Sequence, residues 1–176
     1  MKTFVFTLCL AGIICACAIA QQAPANPITS DIKMLYQSVK GNVIKSAEKM
    51  PEDQYGFQPT PEVRTFAAML GHIADAQYLF CSAVKGEQRP DVKVEQTKKT
   101  KAELAAALNT AFAYCDPVYD SMTDAQGAEI AKFFGRERSK LGLLALNNGH
   151  NFEHYGNLVT YLRMKGLVPP SSEGRR

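Results

Sequence analysis

The stretch from Ser139 to Leu162 constrains this chain more than any other. Ser139 can cap a helix, apolar and aromatic residues recur at helical spacing through Leu162, and Gly166 followed by Pro169 and Pro170 stops it. An amphipathic helix of that length must bury one face against another element. Three further segments have the same need. Ser30 can cap a helix carrying Ile32, Leu35, Val39 and Val43, which Pro51 ends. Thr65 opens a second helix with Phe66, Met69, Leu70, Ile73 and Leu79, running to about Val84. Thr100 and Glu103 form a capping box that starts a third toward Met122, with Pro117 inside it marking a kink or an earlier stop. Residues 50–64, with Pro51, Pro59 and Pro61, and residues 85–99 read as connections, and residues 123–138 as a short irregular or helical piece. No segment shows sustained strand alternation and none repeats. The predicted fold class is all-α, a four-helix bundle over residues 30–168.

The first twenty residues read as something other than fold. Lys2, the apolar run from Phe4 to Ile14, and Ala18-Ile19-Ala20 before Gln21 match the three parts of a secretory signal peptide. A lipid-anchored precursor cut before Cys17 fits less well, and a retained membrane anchor is the other alternative. Residues 21–29, rich in Pro and Ala, read as a flexible N-terminal tail, and residues 169–176 as the C-terminal tail. The expectation is a secreted or periplasmic protein. Removal of the leader takes Cys9, Cys15 and Cys17 with it and leaves Cys81 and Cys115 to face an oxidising compartment. The 20 basic and 17 acidic residues are scattered rather than blocked, so no electrostatic footprint for nucleic acid is visible. No membrane partner is expected after leader removal, and a homodimer stays open because no helix face is marked for it.

The sequence has three histidines, His72, His150 and His154. His150 and His154 are four residues apart on the last helix, hence only about 40° apart around its axis. His72 belongs near the apolar stripe of the second helix, pointing inward. Three imidazoles from two facing helices make a His₃ set, which leaves a coordination position for water or substrate. Leu143, Asn147, Asn157 and Tyr161 fall on the same face of the last helix as the pair. Buried amides and imidazoles are costly without partners, and a metal with its surrounding hydrogen bonds is one economical partner. Asp75, three residues after His72, and Glu153, beside His154, are candidates to orient a ligand or to move a proton. The competing reading is that each histidine is a core or surface residue satisfied by a carbonyl or water, and that Asn147, Asn157 and Tyr161 are structural.

Two other constellations rank lower. His150 to His154 matches H-x-x-E-H, the inverted zinc-protease motif. Such proteases are expected to take a distant acidic third ligand, and Glu173 is the sole acidic residue after His154. Cys81, nine residues after His72, faces the opposite side of its helix and should not join a metal. Cys81 and Cys115 lie at similar depths in the second and third helices. Parallel packing would bring them together as a disulfide and antiparallel packing would separate them.

Phe57-Gln58-Pro59-Thr60-Pro61, the run Phe66 to Asp75 and above all the run Asn148 to Gly166 resemble the DinB-like (YfiT-like) metalloenzyme family, over Ser30 to about Ser172. The resemblance implies an up-down-down-up bundle with parallel second and third helices, which would favour the cysteine bridge. It implies a divalent metal, commonly zinc or nickel, held by residues matching His72, His150 and His154. It also implies a small-molecule substrate, with thiol-dependent S-transferases and isomerases using bacillithiol or mycothiol among the family's activities. Most members are cytoplasmic, so an export signal departs from the pattern. The expectation is an exported metal-dependent hydrolase or thiol transferase in which Glu153 or Asp75 assists proton transfer, with a non-catalytic metal- or ligand-binding module for stress resistance as the alternative.

Overall fold

A computed structural model describes residues 25–174; the leader expected over residues 1–20 lies outside the described residues. In chain order the elements are helix α1 (Pro27–Lys49), helix α2 (Phe66–Lys85), the single turn α3 (Val94–Thr97), helix α4 (Lys101–Ser121), the single turn α5 (Asp124–Gly127), a hairpin of strands β1 (Ile130–Phe133) and β2 (Arg136–Ser139), and helix α6 (Lys140–Met164).

Local chemistry sets most of the helix ends. Thr65 Oγ accepts from the Ala68 N–H at 3.1 Å, Ser139 Oγ accepts from Gly142 at 3.1 Å, and Thr100 and Glu103 form the reciprocal capping box. Gly86 and Gly166 end α2 and α6 with φ of 72° each, in the left-handed region that glycine enters without steric penalty.

The four long helices form a ring in which α1 and α2 each pack against both α4 and α6. Lys101 at the start of α4 donates to the Glu48 and Met50 carbonyls at the end of α1, and Lys33 near the start of α1 pairs with Asp120 near the end of α4. Those two helices are therefore antiparallel. Asn148 reaches the Ile32 carbonyl and Lys49 pairs with Glu173, so α6 runs parallel to α1. The Tyr161 hydroxyl, near the end of α6, donates to the Arg64 carbonyl just before α2. The order is up-down-down-up, with α2 and α4 parallel. Tyr36, Val39 and Val43, Phe66, Leu70 and Ile73, Leu104, Leu108 and Phe112, and Leu143, Leu158 and Leu162 fill the space between. Cys81 and Cys115 meet there as a disulfide, with Cα atoms 5.5 Å apart.

Several expectations are corrected. Helix α1 begins at Pro27 rather than Ser30, inside the segment read as a tail. Its free N–H groups are capped from a distance: the Asp124 carboxylate accepts from Ile28 N at 3.2 Å and from Thr29 N at 2.8 Å, and Asn26 Oδ1 accepts from Asp124 N in return. Leu35, expected in the core, is 43% exposed, and Tyr36 takes that place. Pro117 does not stop α4, because it lies on the solvent side four residues from the helix end, where water can satisfy the freed carbonyl. The region 123–138 contains a β-hairpin, with Ile130 opposite Ser139 and Phe133 opposite Arg136. The start of the C-terminal tail packs on α6: Pro169 and Pro170 are buried and Ser171 N donates to the Tyr155 hydroxyl. Among the described residues no helix is long and apolar enough to cross a membrane.

The bridge closes a loop with a sequence separation of 34 residues, and constraining the unfolded chain in that way stabilises by roughly 3–4 kcal/mol. The double variant Cys81→Ala/Cys115→Ala should lose stability by about that amount in equilibrium denaturation, with its helical circular dichroism unchanged.

Candidate metal centre

His72 on α2 and His150 and His154 on α6 converge. His150 Nε2 lies 3.0 Å from His72 Nε2 and 3.0 Å from His154 Nε2, and one nitrogen from each ring falls within 4.8 Å of the others. An imidazole nitrogen carries either one N–H or one in-plane lone pair. His150 Nε2 therefore cannot satisfy both neighbours by hydrogen bonding. A cation at their common point would satisfy three lone pairs together.

The outer ring nitrogens differ in their support. Glu95 Oε2 lies 3.3 Å from His72 Nδ1, and Glu95 Oε1 accepts from Arg64 Nε at 2.9 Å. A carboxylate there holds the proton on His72 Nδ1 and leaves the Nε2 lone pair free. Asn157 Nδ2 lies 3.3 Å from His154 Nδ1; with the amide turned over, its Oδ1 would accept from an Nδ1–H. His150 Nδ1 is buried without a partner. An unpartnered buried nitrogen costs about 1–3 kcal/mol, a burden that packing alone does not require.

Burial pushes all three imidazoles below the ordinary histidine value. For His150, burial and the neighbouring His154 and His72 rings lower it to about 4. His72 is lowered by burial and by Arg64, against the opposing pull of Glu95. His154 is lowered by burial and by His72, against Glu153. At neutral pH the cluster offers uncharged nitrogen donors, the form a metal takes. The three histidines are positioned to bind a metal ion.

Asp75 reaches the cluster through another residue. Its Oδ1 accepts from Val94 N at 2.8 Å and its Oδ2 from Glu95 N at 3.1 Å, so it pins α3, which carries Glu95, beside His72. Glu153 is exposed at the rim of a cleft of about 900 Å³ that also includes His150, Phe80, Phe133 and Arg138. Glu95 was not anticipated from the sequence. The available signal was Gly71: a Cβ there would lie 2.5 Å from Glu95 Cα and 2.8 Å from its N, so glycine is what lets α3 approach α2.

The polar stripe of α6 divides into two. Behind the imidazoles, Gln77 Nε2 donates to the Ile73 carbonyl and to Asn151 Oδ1, and Gln77 Oε1 accepts from Asn147. Asn147 also donates to the Tyr119 hydroxyl. The Tyr119 oxygen lies 3.1 Å from both the Leu144 carbonyl and Asn148 Oδ1. Asn147 thus belongs to the structural half, whereas Asn157 touches a ligand ring.

Two outcomes test this geometry. The unfolded chain binds more protons than the folded one between the ordinary histidine value of 6.5 and the His150 value of about 4. The stability of metal-free protein should be full above pH 6.5 and fall as pH drops through that window, and the fall between pH 7.5 and 5 should shrink in His150→Ala, by denaturant titration. In Gly71→Ala, helix propensity alone would add about 1 kcal/mol. The added Cβ should instead displace Glu95 and weaken metal affinity about tenfold in chelator competition, as Glu95→Gln also should.

Comparison with known proteins places the fold and the family. The uncharacterized protein YjoA of Bacillus subtilis is 25% identical over 123 residues, covering 68% of this chain and 79% of YjoA. Its crystal structure, described as DinB-like, matches with a TM-score of 0.65 at 24% identity, over 78% of this chain and 93% of that one. A DinB-like protein from Bacillus cereus matches with a TM-score of 0.70 at 18% identity, over 80% and 95%. A mutant of the mycothiol-dependent maleylpyruvate isomerase matches with a TM-score of 0.62 at 13% identity, over 74% of this chain and 60% of the isomerase. The DinB superfamily model matches residues 36–158, well over half of the sequence, and the chain belongs to that superfamily.

Proposed function

We propose that this protein is an exported metal-dependent enzyme acting on a small molecule, with zinc or nickel held by His72, His150 and His154. The observation that carries the reading is the convergence of three Nε2 atoms, two of the contacts at 3.0 Å, from a set of neutral nitrogen donors that suits those ions. A cation so held would supply Lewis acidity, which polarises an electrophile and makes a water or thiol more acidic.

The chain's own residues do the rest. His72 is oriented by Glu95, and Glu95 by Asp75 and Arg64. Glu153, exposed beside His154 on the cleft rim, takes a proton from the nucleophile and returns it to the leaving group. The apolar rings of Phe80 and Phe133 screen one side of the cluster from water. Hydrolysis is the reaction this reading favours, since water needs no cytosolic cosubstrate. The Cys81–Cys115 disulfide supports export, because such bridges persist in oxidising compartments. Thiol-dependent transfer is a second reading, supported by the shared fold of a mycothiol-dependent isomerase.

Elemental analysis of the reconstituted protein should find one equivalent of zinc or nickel per chain, and His150→Ala and His154→Ala should each weaken its retention more than about 100-fold. In a screen of ester, amide and thiol-transfer substrates, Glu153→Gln should keep the metal and slow turnover by about 10²–10⁴-fold. Wild-type protein without stoichiometric metal rejects the reading, and metal without any turnover reduces it to a binding module.

A further inference from the structure

The hairpin β1–β2 stands against the candidate metal centre and contains one of the two non-glycine residues of the described chain with positive φ, the other being Lys93. Its two-residue turn is Phe134-Gly135, with φ of 48° and 73°. Both central residues of such a turn need positive φ, which is why Asn-Gly or Gly-Gly is favoured there. Phe134 is a bulky residue held in the left-handed region, at a cost of about 1–2 kcal/mol. The residue is also 78% exposed, so burial does not offset the strain. The residue borders a cavity of about 280 Å³ that includes His72 and His150, with Ala76, Leu79, Phe80 and Phe133 as its other apolar walls and Asp75, Arg89 and Glu95 as its charged ones. Phe133 stacks on Phe80 at 5.2 Å, and Phe134 meets Phe133 edge-on at 4.5 Å. Phe80 in turn lies 5.8 Å from the His150 ring. A continuous aromatic wall thus runs from a ligand imidazole to the hairpin tip.

We propose that Phe134 is a specificity-determining residue: with Phe80 and Phe133 it receives the aromatic or other flat apolar portion of a substrate whose polar reacting group is directed at the three histidines. This rests on the metal-dependent reading above. It narrows the substrate class to small molecules with a polar head and an aromatic or planar apolar body. A strained, exposed aromatic gains its purpose when a ligand ring covers it, because offset or edge contacts between rings add to the area they bury. The hairpin is held by strand pairing and by the Phe80 contact, so the tip can present a side chain without disturbing the bundle.

Two hydroxamates with the same metal-chelating head and different bodies separate the possibilities. Titrated calorimetrically into zinc-loaded protein, benzohydroxamate should bind about tenfold more tightly than acetohydroxamate. Phe134→Asn places a residue suited to the turn, so this variant should match or exceed the wild-type melting temperature. It should bind acetohydroxamate unchanged and lose the preference for the phenyl ring. Phe134→Tyr should keep it. Equal affinities in the wild type, or a preference that survives in Phe134→Asn, overturns the proposal and leaves the metal reading intact. Zinc-loaded protein that binds neither hydroxamate overturns the open metal centre itself, and this proposal with it.

Discussion

The buried hydrogen-bonded lattice centred on Gln77 fixes how the four long helices meet, and the candidate metal centre depends on it. Gln77 comes from α2, Asn147, Asn148 and Asn151 from α6, Tyr119 from α4, and the accepting Ile32 carbonyl from α1. Apolar contacts between helices tolerate sliding; hydrogen bonds do not. A slip of one helical turn would leave several buried amide groups unpaired, each at about 1–3 kcal/mol. Asn147 and Asn151 each precede a ligand, His150 and His154, by three residues on α6, and Gln77 follows His72 by five on α2. The register that pairs the amides is therefore the register that brings the imidazoles together.

The inner and outer halves of the centre are built differently. The three nitrogens project from long helices whose relative positions the core and the lattice determine. Glu95, Phe133 and Phe134 come instead from a single helical turn and a short hairpin, each braced at a few points: α3 by Asp75 and the absent side chain of Gly71, the hairpin by Phe80. The geometry of the three nitrogens thus belongs to rigid elements, where precision is inexpensive to maintain, and the proposed substrate-facing wall belongs to connections that can vary while the bundle stays unchanged.

What could be read from the sequence follows the range of the interaction involved. Thr65, Thr100 with Glu103, Ser139 and Gly166 act on groups within four residues of themselves, and each helix end they set was legible. The histidine set was legible because two members share a helix at i,i+4 and only three histidines exist. The start of α1 was not, since its cap is Asp124, nearly a hundred residues away. Glu95 was hidden because its place beside His72 depends on a backbone contact across Gly71. The hairpin was hidden because its strands are four residues each and its turn begins with Phe rather than the Asn that such turns favour. The cysteine pairing turned on the relative direction of α2 and α4, which periodicity along one helix does not contain.

Helix α2 joins these threads. Thirteen of its 20 residues are buried, including Gly71, Ala74, Ala76, Gln77 and Ser82, so it is enclosed on nearly every side, as a helix at the centre of a packing arrangement must be. His72 and Gln77 both meet α6, Cys81, one turn beyond Gln77, is tied covalently to α4, and at its flank Gly71 admits α3. The disulfide and the lattice hold the same helix in two ways, one by constraining the unfolded chain and the other by penalising every wrong register of the folded one. A ligand on α2 is for that reason the best-anchored of the three, and the carboxylate that orients its ring is supplied by the one short segment that α2 is shaped to receive.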